Sequence, residues 1–202
     1  MNRILIIFAH PRLEQSLANA ALLENIPESG NITFNDLYEL YPDYNIDTER
    51  EKQLLTDHNI IIWHHPFYWY SIPPLLKQWL DMVLEFKWAY GPGGNALKDK
   101  IVFNVITSGG TREVYRREGR NRFTVREFLA PLEQTAVLCG MKYFPPFAVQ
   151  GTHKIDKADR EKYAMDYQFL LRKFMNNEFK EEEILKHEFL NDWITVTNKL
   201  KV

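Results

Sequence analysis

The chain has a single cysteine, Cys139, among its 202 residues. That excludes an internal disulfide and any metal site built from several thiolates. Its setting, TAVLCGMKYF, is that of a small buried apolar side chain. No stretch approaches the ~18 consecutive apolar residues of a membrane span. The opening MNRILIIFAH turns polar too early for a secretory signal, so a cytoplasmic, reducing location is the expectation. Positive charge is not in surplus either: 25 Lys and Arg face 27 Asp and Glu, a net charge of -2. A dedicated nucleic-acid binder needs a basic excess, and a one-electron carrier that docks by charge is expected to be more acidic than this. No G-x-G-x-x-G follows the first apolar run and no G-x-x-x-x-G-K-[ST] is found, which disfavours a dinucleotide fingerprint and a P-loop. Internal repeats and low-complexity tracts are also missing.

What is present is enough chain for one ordinary domain, with 45% hydrophobic residues to fill a core. Aromatics reach 14%, an amount that suits either a dense core or a pocket for a flat ligand. Short β-rich runs alternate with helical patterns. Strands are expected at Arg3–Phe8, Asn31–Tyr38, Asn59–His64, Ile101–Thr107 and Lys142–Val149. Pro145 and Pro146 put the last of these at an edge. Helices are expected at Ser16–Ile26, Thr48–Asp57 (capped by Asp47 or Thr48), Pro73–Phe86, Phe123–Cys139 and Asp156–Phe174. The long Phe123–Cys139 helix should kink, or begin afresh, at Pro131. This alternation predicts parallel pairing with right-handed crossovers. The fold class is α/β: a flavodoxin-like, doubly wound five-stranded parallel sheet, order 2-1-3-4-5, with helices on both faces. Residues 1–175 would form that domain. The tail, Asn176–Val202, reads as a helical extension of the same domain or as an arm to a partner subunit.

Ligands of such sheets bind beyond the carboxyl ends of the strands, at the switch point. Three loops end there: His10–Asn19, His65–Pro73 and Thr107–Asn121. The first precedes a helix N-terminus, where free amides favour an anion, and His10, Ser16 and Asn19 can add donors. Simple N-capping by Ser16 is the plainer alternative. The second, HPFYWYSIPP, places Tyr68, Trp69 and Tyr70 in a row, as core or as walls for a planar ligand. The third begins TSGGTREVY, where Gly109 and Gly110 permit close backbone approach. Its arginines, Arg112, Arg116, Arg117, Arg120, Arg122 and Arg126, can receive phosphates or simply pair with Glu113, Glu118 and Glu127. His64 and His65 are adjacent on a strand and point to opposite faces, so they do not make a joint metal site; no metal is expected.

Four motifs in this order are specific: H-P-x(4)-S-x-x-N from His10, H-P-x-x-W-Y-S-I-P-P-L-L-K from His65, W-A-Y-G-x-G-G-x-A-L from Trp88, and T-S-G-G from Thr107. Over roughly residues 3–175 the chain resembles the NAD(P)H:quinone oxidoreductase family, in particular its branch of ancillary flavoproteins of glutathione-gated potassium-efflux antiporters. The resemblance implies bound FMN, with FAD as the alternative, and a homodimer with sites at the subunit interface. It assigns His10, Ser16, Leu17, Ala18 and Asn19 to the flavin phosphate. Phe67, Tyr68, Trp69 and Tyr70 would line the isoalloxazine ring, and Thr107, Ser108, Gly109 and Gly110 its other edge. Tyr115 matches the active-site tyrosine of the quinone reductases. Their histidine six residues later is Asn121 here, which donates a hydrogen bond but exchanges no proton near neutral pH. The implied activity is ping-pong hydride transfer from NAD(P)H through the flavin to a quinone or similar flat acceptor. The alternative is a regulatory flavin-binding subunit, peripheral at the inner face of the membrane through an antiporter partner.

Overall fold

The computed structural model describes residues 1–199; residues 200–202, the end of the expected tail, lie outside the described residues. Strand β1 (Ile4–Phe8) is buried throughout. A turn of 3-10 helix at Leu13–Gln15 leads into helix α1 (Leu17–Glu24), capped by Ser16. Strand β2 (Ile32–Asp36) stops short of the expected Tyr38, because the Asp36 carboxyl accepts from the amides of Tyr38 and Glu39 and starts a short helix, α2 (Leu37–Leu40). Helix α3 (Thr48–Asp57) has Asp47 as its N-cap. Strand β3 (Ile60–Pro66) is followed by α4 (Pro74–Val83), with Pro74 in its first turn. α4 ends before the expected Phe86, as the chain reverses at Lys87 (φ 68°) and the Lys87 amide donates to the Tyr90 carbonyl at 2.8 Å.

Strand β4 (Ile101–Ser108) leads through a 3-10 turn at Arg112–Val114 to α5 (Val125–Phe128) and α6 (Ala130–Leu138). A Thr124–Glu127 capping box begins α5, and α6 begins afresh with Pro131 in its first turn. The expected strand Lys142–Val149 is two strands, β5 (Lys142–Tyr143) and β6 (Phe147–Gln150), parted by Pro145 and Pro146. Helices α7 (Lys157–Met175), α8 (Glu181–Ile184) and α9 (Leu190–Lys199) complete the chain, α7 opening on an Asp156–Asp159 capping box. These strands all pair in parallel, in the order β2-β1-β3-β4, with β5 and β6 both on the outer side of β4. The expected order 2-1-3-4-5 therefore holds, with the fifth position filled by two short strands.

Strand alternation divides the core into two. Ile4, Ile6, Ile60, Ile62, Phe103 and Val105 face α1 and α7, while Leu5, Ile7, Ile61, Trp63, Val102 and Ile106 face α3, α4 and α6. The tail packs on its own chain. Asn191 of α9 accepts from the Ala148 amide (2.8 Å) and donates to the Ala148 carbonyl (3.2 Å), so one side-chain amide stands in for a neighbouring strand at the open edge of β6. Ile184, Leu190, Trp193 and Ile194 join the α7-side core.

Most buried polar side chains gather in a few hydrogen-bonded networks, while Trp63 Nε1, His64 Nδ1 and Tyr167 Oη are buried without a partner. Fully buried Glu51 accepts from Asn35 Nδ2 (2.8 Å), Trp79 Nε1 (2.8 Å), Tyr41 Oη (2.7 Å) and the Arg50 guanidinium, and so links β2, α3 and α4. His64 and His65 do point to opposite faces. His64 Nε2 meets Asn19 Oδ1 (3.0 Å), whereas His65 Nε2 meets Asn104 Nδ2 (2.9 Å), and Tyr143 Oη donates to Asn104 Oδ1 (2.6 Å). Burial pushes His64 down to about 3, helped by the charges of His65 and His10, and pushes His65 down to about 4 against a hydrogen bond to the Pro66 carbonyl. Both rings are therefore neutral.

Two predictions follow from these networks. Replacing Glu51 with Ala strands three buried donors and should cost about 3–5 kcal/mol in urea unfolding, with little change in m-value. The histidines predict acid sensitivity. Their folded pKa values lie below the ordinary 6.5, so the unfolded chain binds protons first as pH falls. Stability is full above about 6.5 and declines below it by about 1.4 kcal/mol per pH unit for each ring, flattening only beneath the folded values. A His65→Gln variant should lose one proton from that slope in unfolding curves measured between pH 7 and 5.

Candidate active site

The carboxyl ends of β1, β3 and β4 meet at one side of the sheet, with Pro66 in register with Thr107. Two adjoining cavities open there. The first, of about 420 Å³, is lined by residues of all three expected loops: His10, Ser16, Leu17 and Ala18; Phe67 and Tyr68; Thr107 and Gly109. The second, of about 500 Å³, is lined by Phe67, Trp69, Tyr70, Gly109, Gly110, Tyr115 and Asn121. Phe67 and Gly109 belong to both and form the seam between them.

The first cavity is rich in donors. Leu17 and Ala18 stand in the first turn of α1, where amides have no intrahelical acceptor. His10 Nδ1 accepts from the Arg12 amide (3.1 Å), which leaves Nε2 as the nitrogen carrying hydrogen in the neutral ring. Burial lowers the His10 pKa, opposed by Glu14, and so favours that neutral form.

Asn19 does not line the cavity. It is fully buried behind the wall, where Nδ2 donates to Ser16 Oγ (2.8 Å) and Thr107 Oγ1 (3.0 Å) and Oδ1 accepts from His64 (3.0 Å). Its polar capacity is thus spent on protein. Because it supplies each hydroxyl with a donor, the protons of Ser16 and Thr107 are free to turn toward the cavity. Ser108 is also withdrawn: its hydroxyl donates to the Gly110 carbonyl (2.9 Å) from a buried position.

The second cavity is aromatic. Trp69 (φ 49°) and Tyr70 (φ 64°) both hold left-handed backbone, which is costly for bulky side chains and is fixed here by a tight turn in which the Ser71 amide donates to the Tyr68 carbonyl (2.9 Å). Trp69 is 92% exposed, so core filling does not explain it. Tyr70 stacks on Phe128 (4.9 Å between ring centres), while Tyr115 meets Phe67 edge-on at 5.7 Å. Burial raises the Tyr115 pKa, reinforced by Tyr70, so its hydroxyl stays protonated at neutral pH. Cys139 plays no part. It is buried under α6, and desolvation pushes its thiol up to about 11.

His153 lines both cavities and was missed in the sequence. It follows β6, and its loop is fastened to the β4 loop: the Gly151 amide donates to the Gly110 carbonyl (2.9 Å) and the Thr152 amide to the Ser108 carbonyl (3.0 Å). A Cβ at Gly109 would sit 2.6 Å from His153 Nε2, so a larger residue there would push the ring from its present place. The available signal was Gly-Thr-His directly after the fifth strand, at the same sheet end as Thr-Ser-Gly-Gly. Arg12, Gln15 and Thr152 of the first cavity were likewise not among the expected site residues, while Arg120 of the second is one of the loop arginines read as able to receive phosphates.

Comparison with known proteins agrees with this architecture. A family profile described as a flavodoxin-like fold matches residues 2–170. KefG, the ancillary protein of a glutathione-regulated potassium-efflux system from Pectobacterium carotovorum, is 43% identical over 153 residues, which is 76% of this chain and 84% of that protein. The crystal structure of general stress protein 14 from Treponema denticola, in complex with FMN, superposes with a TM-score of 0.79 at 37% identity, covering 84% of this chain and 98% of that one. An NADPH-quinone reductase from P. pentosaceus superposes with a TM-score of 0.76 at 31% identity, covering 84% and 97%. No helix among the described residues is long and apolar enough to cross a membrane. With the fold, the sheet-end cavities and these matches in agreement, the chain belongs to the flavodoxin-like family that includes NADPH-quinone reductases and potassium-efflux ancillary proteins.

Proposed function

We propose that the chain is a flavin-dependent NAD(P)H oxidoreductase that passes hydride, by way of bound FMN, to a quinone or similar flat acceptor. The observation that carries this reading is the joining of a donor-lined cavity to an aromatic slot across Gly109. A phosphate ester fits the first, where His10 Nε2, the Ser16 and Thr107 hydroxyls and the amides of Leu17 and Ala18 supply donors; a planar ring system attached to it fits the second. FMN, when bound, supplies the capacity to accept hydride from one substrate and deliver it to another. FAD remains the alternative, as does NADH to NADPH.

In this reading the protein's own work is placement and electrostatics. Asn19 is a positioning residue that aims two hydroxyls. Phe67 and Tyr70 bound the slot, Tyr68 lines the adjoining donor cavity, and Gly109 and Gly110 let the backbone approach the ring edge. Trp69 stands free to cover the ring or to meet a partner subunit, in keeping with a homodimer. One slot serves the nicotinamide and the acceptor in turn, which is the basis for a ping-pong order. Tyr115, protonated at neutral pH, donates a hydrogen bond to developing negative charge. Asn121 adds a second donor but no proton to exchange near neutral pH, so proton delivery falls to Tyr115, to the His153 ring that lines the same cavity, or to solvent.

The similarity to KefG favours a second reading, in which the same flavin site belongs to a regulatory subunit on the cytoplasmic face of a potassium-efflux antiporter. Efflux that rises on adding this protein to antiporter vesicles, with slow quinone turnover, would favour it.

The oxidoreductase reading expects the purified protein to be yellow and to bleach anaerobically with NAD(P)H. Heat release followed by chromatography identifies the flavin. A colourless protein that takes up neither FMN nor FAD overturns it. His10→Ala and Asn19→Ala should each weaken FMN binding by about 10-fold or more in fluorescence titrations, the second without loss of any direct contact. Tyr115→Phe should leave FMN affinity within about 2-fold while lowering kcat by about 10-fold, the worth of one hydrogen bond made in the transition state.

A further inference from the structure

The segment beyond α7 lies outside the residues matched by the family profile, yet it reaches the candidate site through one side chain. Arg112 opens the 3-10 turn that leads to Tyr115, Arg120 and Asn121. Its guanidinium forks onto α9: Nη1 donates to Asp192 Oδ1 (2.7 Å) and Nη2 to Asp192 Oδ2 (2.9 Å). Nη2 also donates to Glu188 Oε2 (2.6 Å), and the guanidinium carbon lies 4.6 Å from the centre of the Phe189 ring.

The far end of this clamp is firmly seated. Phe189, Leu190, Trp193 and Ile194 are buried, the Leu190 amide donates to the Pro146 carbonyl (2.9 Å), and Asn191 holds β6 through Ala148. Asp192 is also oriented from below, accepting from the Phe189 amide at 3.3 Å. The near end is weakly supported by comparison. Between residues 112 and 122 the backbone bonds run within the loop itself: Val114 to Thr111, Tyr115 to Arg112, Gly119 to Arg116, Asn121 to Val114 and Arg122 to Gly119. Its other ties are the packing of Val114 and Tyr115 on the core, a hydrogen bond between the Tyr115 and Ser108 side chains, and the Arg117–Glu127 pair, in which Arg117 is largely exposed. An exposed pair of that kind constrains little. The bidentate fork is the stronger restraint, because two parallel hydrogen bonds fix direction as well as distance.

We propose that the α8–α9 segment braces the Tyr115 loop, with Arg112 and Asp192 as positioning residues that set where Tyr115 and Asn121 stand in the aromatic cavity. The proposal rests on the oxidoreductase reading for its catalytic consequence, though not for the brace itself. The first cavity takes no residue from this loop beyond Gly109, so loosening the brace leaves the anion site intact. A small misplacement near the reacting atoms can slow a reaction by up to ~100-fold without abolishing binding. The brace therefore separates flavin affinity from turnover.

The test uses Arg112→Gln, Arg112→Lys and Asp192→Asn in the full chain. Hydrogen exchange of amides 112–122 is measured without added flavin, FMN affinity by fluorescence, and kcat and KM with NADPH and a benzoquinone. Arg112→Gln and Asp192→Asn should speed exchange across 112–122 and lower kcat by about 10-fold, with FMN affinity within about 2-fold and Arg112→Lys intermediate. Unchanged exchange and kcat in both variants overturn the proposal. So does a parallel fall in FMN affinity, kcat and melting temperature, which marks a purely structural role. Should Arg112→Gln fail to fold, Arg112→Lys and Asp192→Asn carry the same comparison. If the unaltered protein binds flavin but does not oxidise NADPH, the oxidoreductase reading fails instead, and the exchange measurement still decides whether the brace exists.

Discussion

The buried amide of Asn19 is the contact on which the site depends. It joins the start of α1 to the ends of two strands, donating to Ser16 and Thr107 and accepting from His64. These residues are far apart in sequence, and each has a polar group that would be costly to leave unpaired in an apolar interior. The amide satisfies them together. It also settles the direction of every hydrogen: a neutral His64 must carry its proton on Nε2 to reach Asn19 Oδ1, and both hydroxyls must then donate elsewhere. The sign of the cavity, donor rather than acceptor, is decided one layer behind its wall.

The sheet can carry such a network because its central strands, β1, β3 and β4, are buried along their whole length. Parallel strands covered on both faces leave no solvent to satisfy a stray polar group. His64 and His65, side by side, serve opposite layers: one supports the site loops through Asn19, the other ties Asn104 and Tyr143 on the α6 side. Both are kept neutral by burial, which makes them fixed hydrogen-bonding elements at neutral pH and not switches. Within the site, the surroundings hold both His10 and Tyr115 in their uncharged forms.

Much of this was legible in the sequence, for identifiable reasons. ILIIF and IIIW announce strands buried on both faces, and Asp47 and Asp156 announce helix starts by local hydrogen bonding. The glycines at 109 and 110 and the exposed Trp69 stand out because neither type is expected there unless something lies close by. What could not be read depended on distant partners. That Asn19 faces inward requires knowing that Thr107 and His64 arrive behind it. That Ser108 is spent on Gly110 requires the loop geometry. Asp36 as a cap, which shortens β2, was a local signal that the alternation of the strand pattern concealed.

His153 shows how a local irregularity reaches the site. Pro145 and Pro146 cannot take part as donors in a ladder, so the edge strand bulges between Tyr143, which pairs with Val102, and Phe147, which pairs with Val105. Four residues of advance on one side meet three on the other. Without that bulge Phe147 would fall opposite Ile106, every side chain beyond the prolines would change face, and Phe147 and Val149 would leave the α7-side core for the α6 side. With it, both pack against α7, Ala148 faces the other layer, and the strand emerges with Gly151 and Thr152 beside the β4 loop. The His153 ring then lies over Gly109, in space that a Cβ would take. The proline pair, which looked like a flaw in a predicted strand, is thus what brings a fourth loop to a site otherwise made from three, and Asn191, by pairing with Ala148 on the exposed side of that strand, holds the displaced register in place.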